Sequence, residues 1–270
     1  MAKKLPDRRE AAVPAAGEER RVDTRVYGAA LIVGLLIVWE CSARFGWVTS
    51  SYWPPFSSVV VAAVQGLVSG DIMPMLGATL RRMAIGYVLG CAAGTALGLL
   101  LGTSRWLRYI IQPVIEVIRP IPVPAIVPPL ILLLGVDDAL KIFIIALASF
   151  FPPFTSALAG AMSVDATLKD TARTFRAGWW RTQLRVVLPA MLPAVAAGLR
   201  TATGLALIVA VVAEMIAGSS GIGYFIVQMQ YAVKPAAVYA AVIYLAAVGY
   251  ALNRLMLAIE RHLVPWAGKA

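Results

Sequence analysis

The chain is short of charge and nearly empty of metal-binding and redox chemistry. Only 14% of its 270 residues are Asp, Glu, Lys or Arg, against roughly a quarter in soluble domains. That shortage argues against an ordinary water-soluble domain. His262 is the single histidine, so metal or acid–base chemistry built on histidine is excluded. Cys41 and Cys91 both sit within apolar runs, which argues against a disulfide framework or a zinc site. A phosphate-binding G-x4-G-K-[ST] loop is also missing: the one Gly-Lys pair, Gly268-Lys269, is followed by Ala270. Any ATP hydrolysis must therefore come from another polypeptide. The chain is expected not to be an enzyme and to carry no cofactor or metal of its own.

What the sequence has in abundance is apolar length. Hydrophobic residues make up 60% of it, and six stretches are long enough, or nearly so, to cross a bilayer. They are 26–43, 83–102, 110–134, 140–162, 189–217 and 236–259. The polar, mixed-charge residues 1–25 read as a solvated cytoplasmic tail. They do not read as a signal peptide, because the stretch is too long for an n-region and the apolar run after it carries Glu40. Residues 26–264 form the membrane domain, and 265–270 a short cytoplasmic end.

The net charge of +10 raises the question of nucleic acid, which its distribution answers. With the N-terminus in the cytoplasm, most Lys and Arg fall on that side. Only Arg44, Arg81, Arg82, Lys141 and Lys234 fall outside, with Arg119 and Arg200 within spans. This is the positive-inside pattern. It places both termini in the cytoplasm and leaves no need for a nucleic-acid partner.

Inside the spans, glycine and proline are patterned. Gly86, Gly90, Gly94, Gly98 and Gly102 recur every fourth residue and form one stripe for close backbone packing, either within the chain or between subunits. The run RPIPVPAIVPP from Arg119, with Pro120 and Pro122, cannot hold a regular helix. Broken backbone at membrane depth must be covered by protein or line a water-filled cavity. Glu116 and Arg119 flank the break, either paired with each other or lining a pathway. Arg200 and Glu214 lie about 21 Å apart along one helix face, so each needs water, the pathway or another helix.

The stretch 165–182 differs from the rest. Leu168, Ala172, Phe175 and Trp179 recur as an apolar helical stripe beside Lys169, Arg173 and Arg176, and Leu188-Pro189 closes the element. Such a cytoplasmic helix has three uses: lying on anionic lipid, packing under its own bundle, or entering a partner's groove.

This segment resembles the cytoplasmic motif of ABC importer permeases, written E-A-A-x3-G-x9-I-x-L-P. Asp170, Thr171 and Ala172 occupy the E-A-A positions, and Val186, Leu188 and Pro189 the I, L and P. Arg176 stands at the usual glycine, with Gly178 two residues later. WPPFSSV, RPIPVPAIVPP, FFPPF, SVDATLKDTARTF and AEMIAGSSGIGY then resemble, in order and spacing, the nitrate/sulfonate/taurine branch of that family. The resemblance spans roughly residues 52–265. It implies an all-α, six-span, type I importer permease of the bacterial inner membrane, working as a homodimer. It further implies two ABC ATPase subunits that hold ATP and Mg, and a periplasmic solute-binding protein. By the same resemblance, Asp170, Thr171, Ala172, Arg173, Phe175, Arg176, Gly178 and Trp179 belong to a coupling helix that docks into the ATPase. Glu116, Arg119, Pro120, Pro122, Arg200 and Glu214 are the pathway candidates, and Ser219, Ser220, Gly221 and Gly223 form an outer loop near the gate. The cargo implied is a small anion or compact polar metabolite. The rival reading, an ion-gradient-driven transporter, calls for inverted repeats with a pair of broken helices, and only the third stretch is heavily broken.

Overall fold

A computed structural model describes residues 24–266, and these are helical with no strand among them. The expected tail and the C-terminal end lie largely outside the described residues. The chain divides into two units, at residues 1–49 and 50–270. In the first, α1 (Thr24–Arg44) is 21 residues long, about 32 Å, enough to cross the roughly 30 Å hydrocarbon core. Its Leu31, Ile32, Val33 and Leu35 are all exposed, as a lipid-facing helix requires.

The second unit runs α2 (Phe56–Val68), α3 (Ile72–Thr103), α4 (Arg105–Ile118), α5 (Val123–Leu134) and α6 (Asp138–Ser163). It continues with α7 (Ala166–Thr174), α8 (Trp179–Thr182), a π-helical turn (Gln183–Val187), α9 (Leu188–Ala217), α10 (Ile222–Tyr231) and α11 (Pro235–Leu263). Among the described residues, five helices are long and apolar enough to span, and six spans result if α4 and α5 count as one. That pair is bent by 95° where Pro120 and Pro122 interrupt the backbone, as the proline run predicts.

The core is the seam between α3 and α6. A Cβ on Gly90 would lie 2.2 Å from the Ala146 carbonyl oxygen, one on Gly94 2.3 Å from that of Phe150, and one on Gly98 2.5 Å from that of Phe154. The glycine stripe therefore packs within the chain, and close backbone contact supplies attraction that lipid does not. Helix α9 closes over α6, where Met191 packs against Gly160 and Gly198 against Pro152 and Ser156.

Three expectations need correction. The second stretch begins at Ile72 rather than 83, because the helix continues through Arg81 and Arg82, which are not loop cations. The segment SSGIGY, expected as an outer loop, is only partly a loop, since α10 starts at Ile222 and takes in Gly223. The helix expected over 165–182 is two short pieces. Helix α7 is begun by Asp165, whose Oδ1 accepts the Thr167 N–H at 2.8 Å. That hydrogen bond holds the Asp165 carboxyl below its usual range. Helix α7 ends in a Schellman turn: the Arg176 N–H donates to Arg173 O and the Ala177 N–H to Ala172 O. Arg176 takes φ 52° there, so the apolar stripe breaks before Trp179.

The seam predicts a sharp contrast between two glycines of one helix. Gly90→Ala should cost about 3 kcal/mol or more through overpacking against backbone. Gly77→Ala, with nothing within 4 Å of its added Cβ, should be neutral or slightly stabilising. Thermal unfolding of the two variants in detergent measures the difference.

Candidate functional site

Helix α6 is an axis of about 39 Å with candidate site residues at three levels. Its first turn joins a buried charge cluster, its middle lines a cleft, and its last turn leads into α7.

At the first level, Glu214 is wholly buried and Arg82 is 3% exposed. Arg82 Nη1 meets Glu214 Oε1 at 2.8 Å and Nε meets Asp138 Oδ1 at 2.7 Å. The same guanidinium donates to the loop between α9 and α10, at Ser220 O (3.0 Å) and Ser220 Oγ (2.6 Å). The second Glu214 oxygen accepts from the Thr79 hydroxyl (2.7 Å) and the Gly223 N–H (3.1 Å). Thr79 Oγ1 in turn accepts the Ile222 N–H at 2.9 Å. The carboxylate and hydroxyl thus satisfy the first N–H groups of α10, at the positive end of its dipole. Arg81 also pairs with Asp138, and the buried Lys141 donates to Val136 O at 3.1 Å. Gly221 is fixed by geometry, because at φ 105° its Cβ would fall 2.3 Å from Glu214 Oε1.

At the middle level lies a cleft of about 470 Å³, lined among others by Arg119, Ala148, Thr155, Ser156 and Thr201. Pro152 has no N–H, so the Ala148 carbonyl loses its helical donor at the cleft wall. Pro153 frees the Ser149 carbonyl in the same way, and it accepts the Cys91 S–H at 3.5 Å. Arg119 is exposed and forms no ion pair among the described residues. The Arg119 guanidinium can hold a small anion here. The Thr155 and Thr201 hydroxyls already donate to Phe151 O and Ala197 O, and the freed Ala148 carbonyl can accept from a donor group on the same solute.

The pathway candidates separate in the structure. Arg119 lines the cleft with its neighbours Ile121 and Val123, while Pro120 and Pro122 form the bend beside it. Glu116 turns to Gln112 Nε2 at 2.7 Å instead of to Arg119. Arg200 Nη1 meets Glu260 Oε2 of α11 at 3.2 Å, and neither Arg200 nor Glu214 lines the cleft. Ser220, Gly221 and Gly223 converge on the charge cluster, and Ser219 is exposed beside them.

At the third level, α7 presents Asp170, Thr171 and Arg173 outward, with Arg173 Nη1 2.9 Å from Asp170 Oδ1. Ala172 is buried, whereas Phe175 is 81% exposed and Trp179 46%. Trp179 and Trp180 meet edge to face, with ring centroids 4.6 Å apart. Gly178 is the residue just before α8.

Sequence reasoning missed Thr79, Arg82, Asp138 and Lys141 as site residues. The available signal was spacing: Thr79/Arg82 and Asp138/Lys141 are both i, i+3 pairs at the same end of two adjacent spans.

A many-span helical bundle with one sharply bent span and a short exposed helix between two long ones has the fold of an ABC importer permease. An inward-facing structure of the MetNI methionine ABC transporter matches with TM-score 0.63 and 16% identity, over 70% of this chain and 94% of that one. The chain belongs to the family of binding-protein-dependent transport system inner membrane components, whose pattern matches residues 86–265. It is 31% identical to the putative aliphatic sulfonates transport permease protein SsuC of Bacillus subtilis, over 88% of this chain and 87% of that one. It is 30% identical to the taurine transport system permease protein TauC of Escherichia coli, over 87% of each.

The buried cluster predicts strong coupling. Arg82→Ala or Glu214→Ala alone should each cost about 3–5 kcal/mol, because each strands a desolvated charge. Arg82→Ala combined with Glu214→Ala should cost clearly less than the sum of the two single losses. A double-mutant cycle on unfolding midpoints tests this, and additive losses would count against it.

Proposed function

We propose that this chain is the permease subunit of an ATP-driven importer for a small anionic or polar solute of the sulfonate, taurine, nitrate or organic-acid class. The observation that carries the reading is the Arg119 guanidinium, without an ion pair among the described residues, in a cleft at mid-bundle that Thr155, Ser156 and Thr201 also line. Two copies would face each other across the pathway in the inner membrane, with both termini in the cytoplasm. A periplasmic binding protein would deliver the solute at the end that carries the charge cluster. Two ABC ATPase subunits, which hold ATP and Mg, would grip the α7–α8 element, with Phe175 and Trp179 as apolar anchors. The chain itself would catalyse nothing. Alternating access would follow from two packings of the bundle whose balance shifts because the ATPase subunits, once ATP is bound to them, favour one packing over the other. The names and cargo of the relatives support the solute class, and the Arg119 cation at the cleft supports an anion within it.

Arg119→Ala should reduce uptake about tenfold or more, the worth of a lost charge-assisted hydrogen bond. Dimer assembly and the unfolding midpoint should stay unchanged, and Arg119→Lys should retain part of the activity. An assembly defect without a specific transport defect would make Arg119 structural. Uptake by reconstituted permease driven by an ion gradient, without ATPase or nucleotide, would favour a secondary transporter instead.

The combined Phe175→Ala and Trp179→Ala change should weaken ATPase binding about tenfold or more, as truncated aromatic anchors do. The permease should still insert and dimerise. Pull-down of the ATPase subunit and transport-coupled ATP turnover measure the effect, and normal values for both would refute the docking assignment.

A further inference from the structure

A second cavity, of about 340 Å³, lies between α7 and the bundle. It is at the small end of ligand pockets, which run from about 300 to 1,000 Å³. Its walls are the end of α3 (Gly102, Thr103), α7 (Lys169, with the outward-facing Arg173 at the rim) and the segment holding Trp179, Gln183 and Val187.

The chemistry of this wall is incomplete in a specific way. Two cations line it and no carboxylate does. Lys169 Nζ donates to Ala161 O at 3.3 Å, and an ammonium has two further protons to give. Arg173 spends Nη1 on Asp170 and keeps the rest of its fork. Gln183 is 6% exposed, yet its buried Oε1 has no hydrogen-bond partner among the described residues. An orphaned buried acceptor costs stability unless something donates to it. It sits on a π-helical turn, an irregularity frequent at binding sites.

A ligand that completes this wall must bring negative charge for Lys169 and Arg173 and, once the Gln183 amide rotates to present Oε1 to the cavity, a hydrogen-bond donor for it. We propose that the cavity binds a phosphate ester with a neighbouring hydroxyl, the chemistry of a phosphoglycerol group. That group has two sources, an anionic lipid headgroup at the membrane surface or a soluble glycerol phosphate. Bound there, it would tie α7 to the end of α3 and to the π-helical turn.

The test uses the full chain without any ATPase, so its outcome is independent of the coupling assignment. The permease is reconstituted in phosphatidylcholine nanodiscs, with or without phosphatidylglycerol, phosphatidic acid or soluble sn-glycerol 3-phosphate. Phosphatidylglycerol should raise the unfolding midpoint by about 3 °C or more, the shift expected of a ligand that binds only the folded state. Lys169→Gln should abolish that rise. Gln183→Leu should leave the midpoint in phosphatidylcholine equal or higher, since it removes an unsatisfied acceptor, and should lose at least about half of the rise with phosphatidylglycerol. A rise with soluble glycerol phosphate identifies a soluble ligand, and a rise with the lipid alone identifies the headgroup. The proposal is overturned by no rise with either, by an undiminished rise in both variants, or by a Gln183→Leu loss of equal size in every lipid. An equal rise with phosphatidic acid, at a pH high enough to ionise its phosphate fully and leave it no hydroxyl, would overturn the assignment of Gln183.

Discussion

Backbone contact between α3 and α6 is the constraint on which the rest of this structure depends. Lipid tails are as apolar as leucine, so helices in a bilayer gain little from burying apolar side chains against one another. They gain from proximity, and here the carbonyls of Ala146, Phe150 and Phe154 occupy the space where side chains on Gly90, Gly94 and Gly98 would begin. Such a seam cannot slide by a residue without driving a Cβ into backbone. It therefore sets Thr79 and Arg82 level with Asp138 at one end. At the other it sets Gly102 against Ala161, whose carbonyl Lys169 reaches. The cluster and the cavity beside α7 are consequences of one register.

The same register explains why the buried charges are tolerated. A lone arginine or glutamate inside a membrane bundle is expensive. Arg82 and Glu214 are 132 residues apart in sequence, and each is satisfied only because α3, α6, α9 and the start of α10 meet at one height. The glutamate also finishes the N-terminus of α10, so one side chain serves as counter-ion and cap. Gly221 belongs to this arrangement because its φ of 105° carries the chain past the carboxylate where a Cβ has no room.

Much of the fold was legible from local pattern. The apolar runs anticipate the long helices, the proline run anticipates the 95° bend between α4 and α5, and the glycine period anticipates a close seam. The charge cluster was hidden because Arg81, Arg82 and Lys141 read as loop cations when spans are ended at the first charge. Their partners lie far along the chain, where a linear scan does not pair them. Arg200 and Glu214 were legible as charges within a span that need a partner, but the choice of Glu260 for one and Arg82 for the other depends on helix rotation. Arg176 is the reverse case. Its departure from the family glycine was visible, and the structure gives the physical meaning of that glycine: the position closes α7 in the left-handed region, where an L side chain costs about 1–2 kcal/mol. The apolar stripe does not reach Trp179 as one helical face because this turn at Arg176 interrupts it.

The two ends of α6 differ in what it costs to move them. Parting α9 from α3 at the cluster would strand Arg82, Glu214 or both, a loss of about 3–5 kcal/mol before packing is counted. At the other end α7 is only nine residues long. It offers Ala172 as its one buried residue and joins α9 through a π-helical turn instead of a regular helix. Between the two, Pro152 and Pro153 remove hydrogen bonds that would otherwise stiffen α6. Rearrangement of the bundle therefore costs least at the α7 end and at the cleft, and most at the charge cluster. The loop at Ser220 is thus tied to α3 through Arg82, while the cleft at Arg119 is bounded by the stretch of α6 that Pro152 and Pro153 leave less stiff.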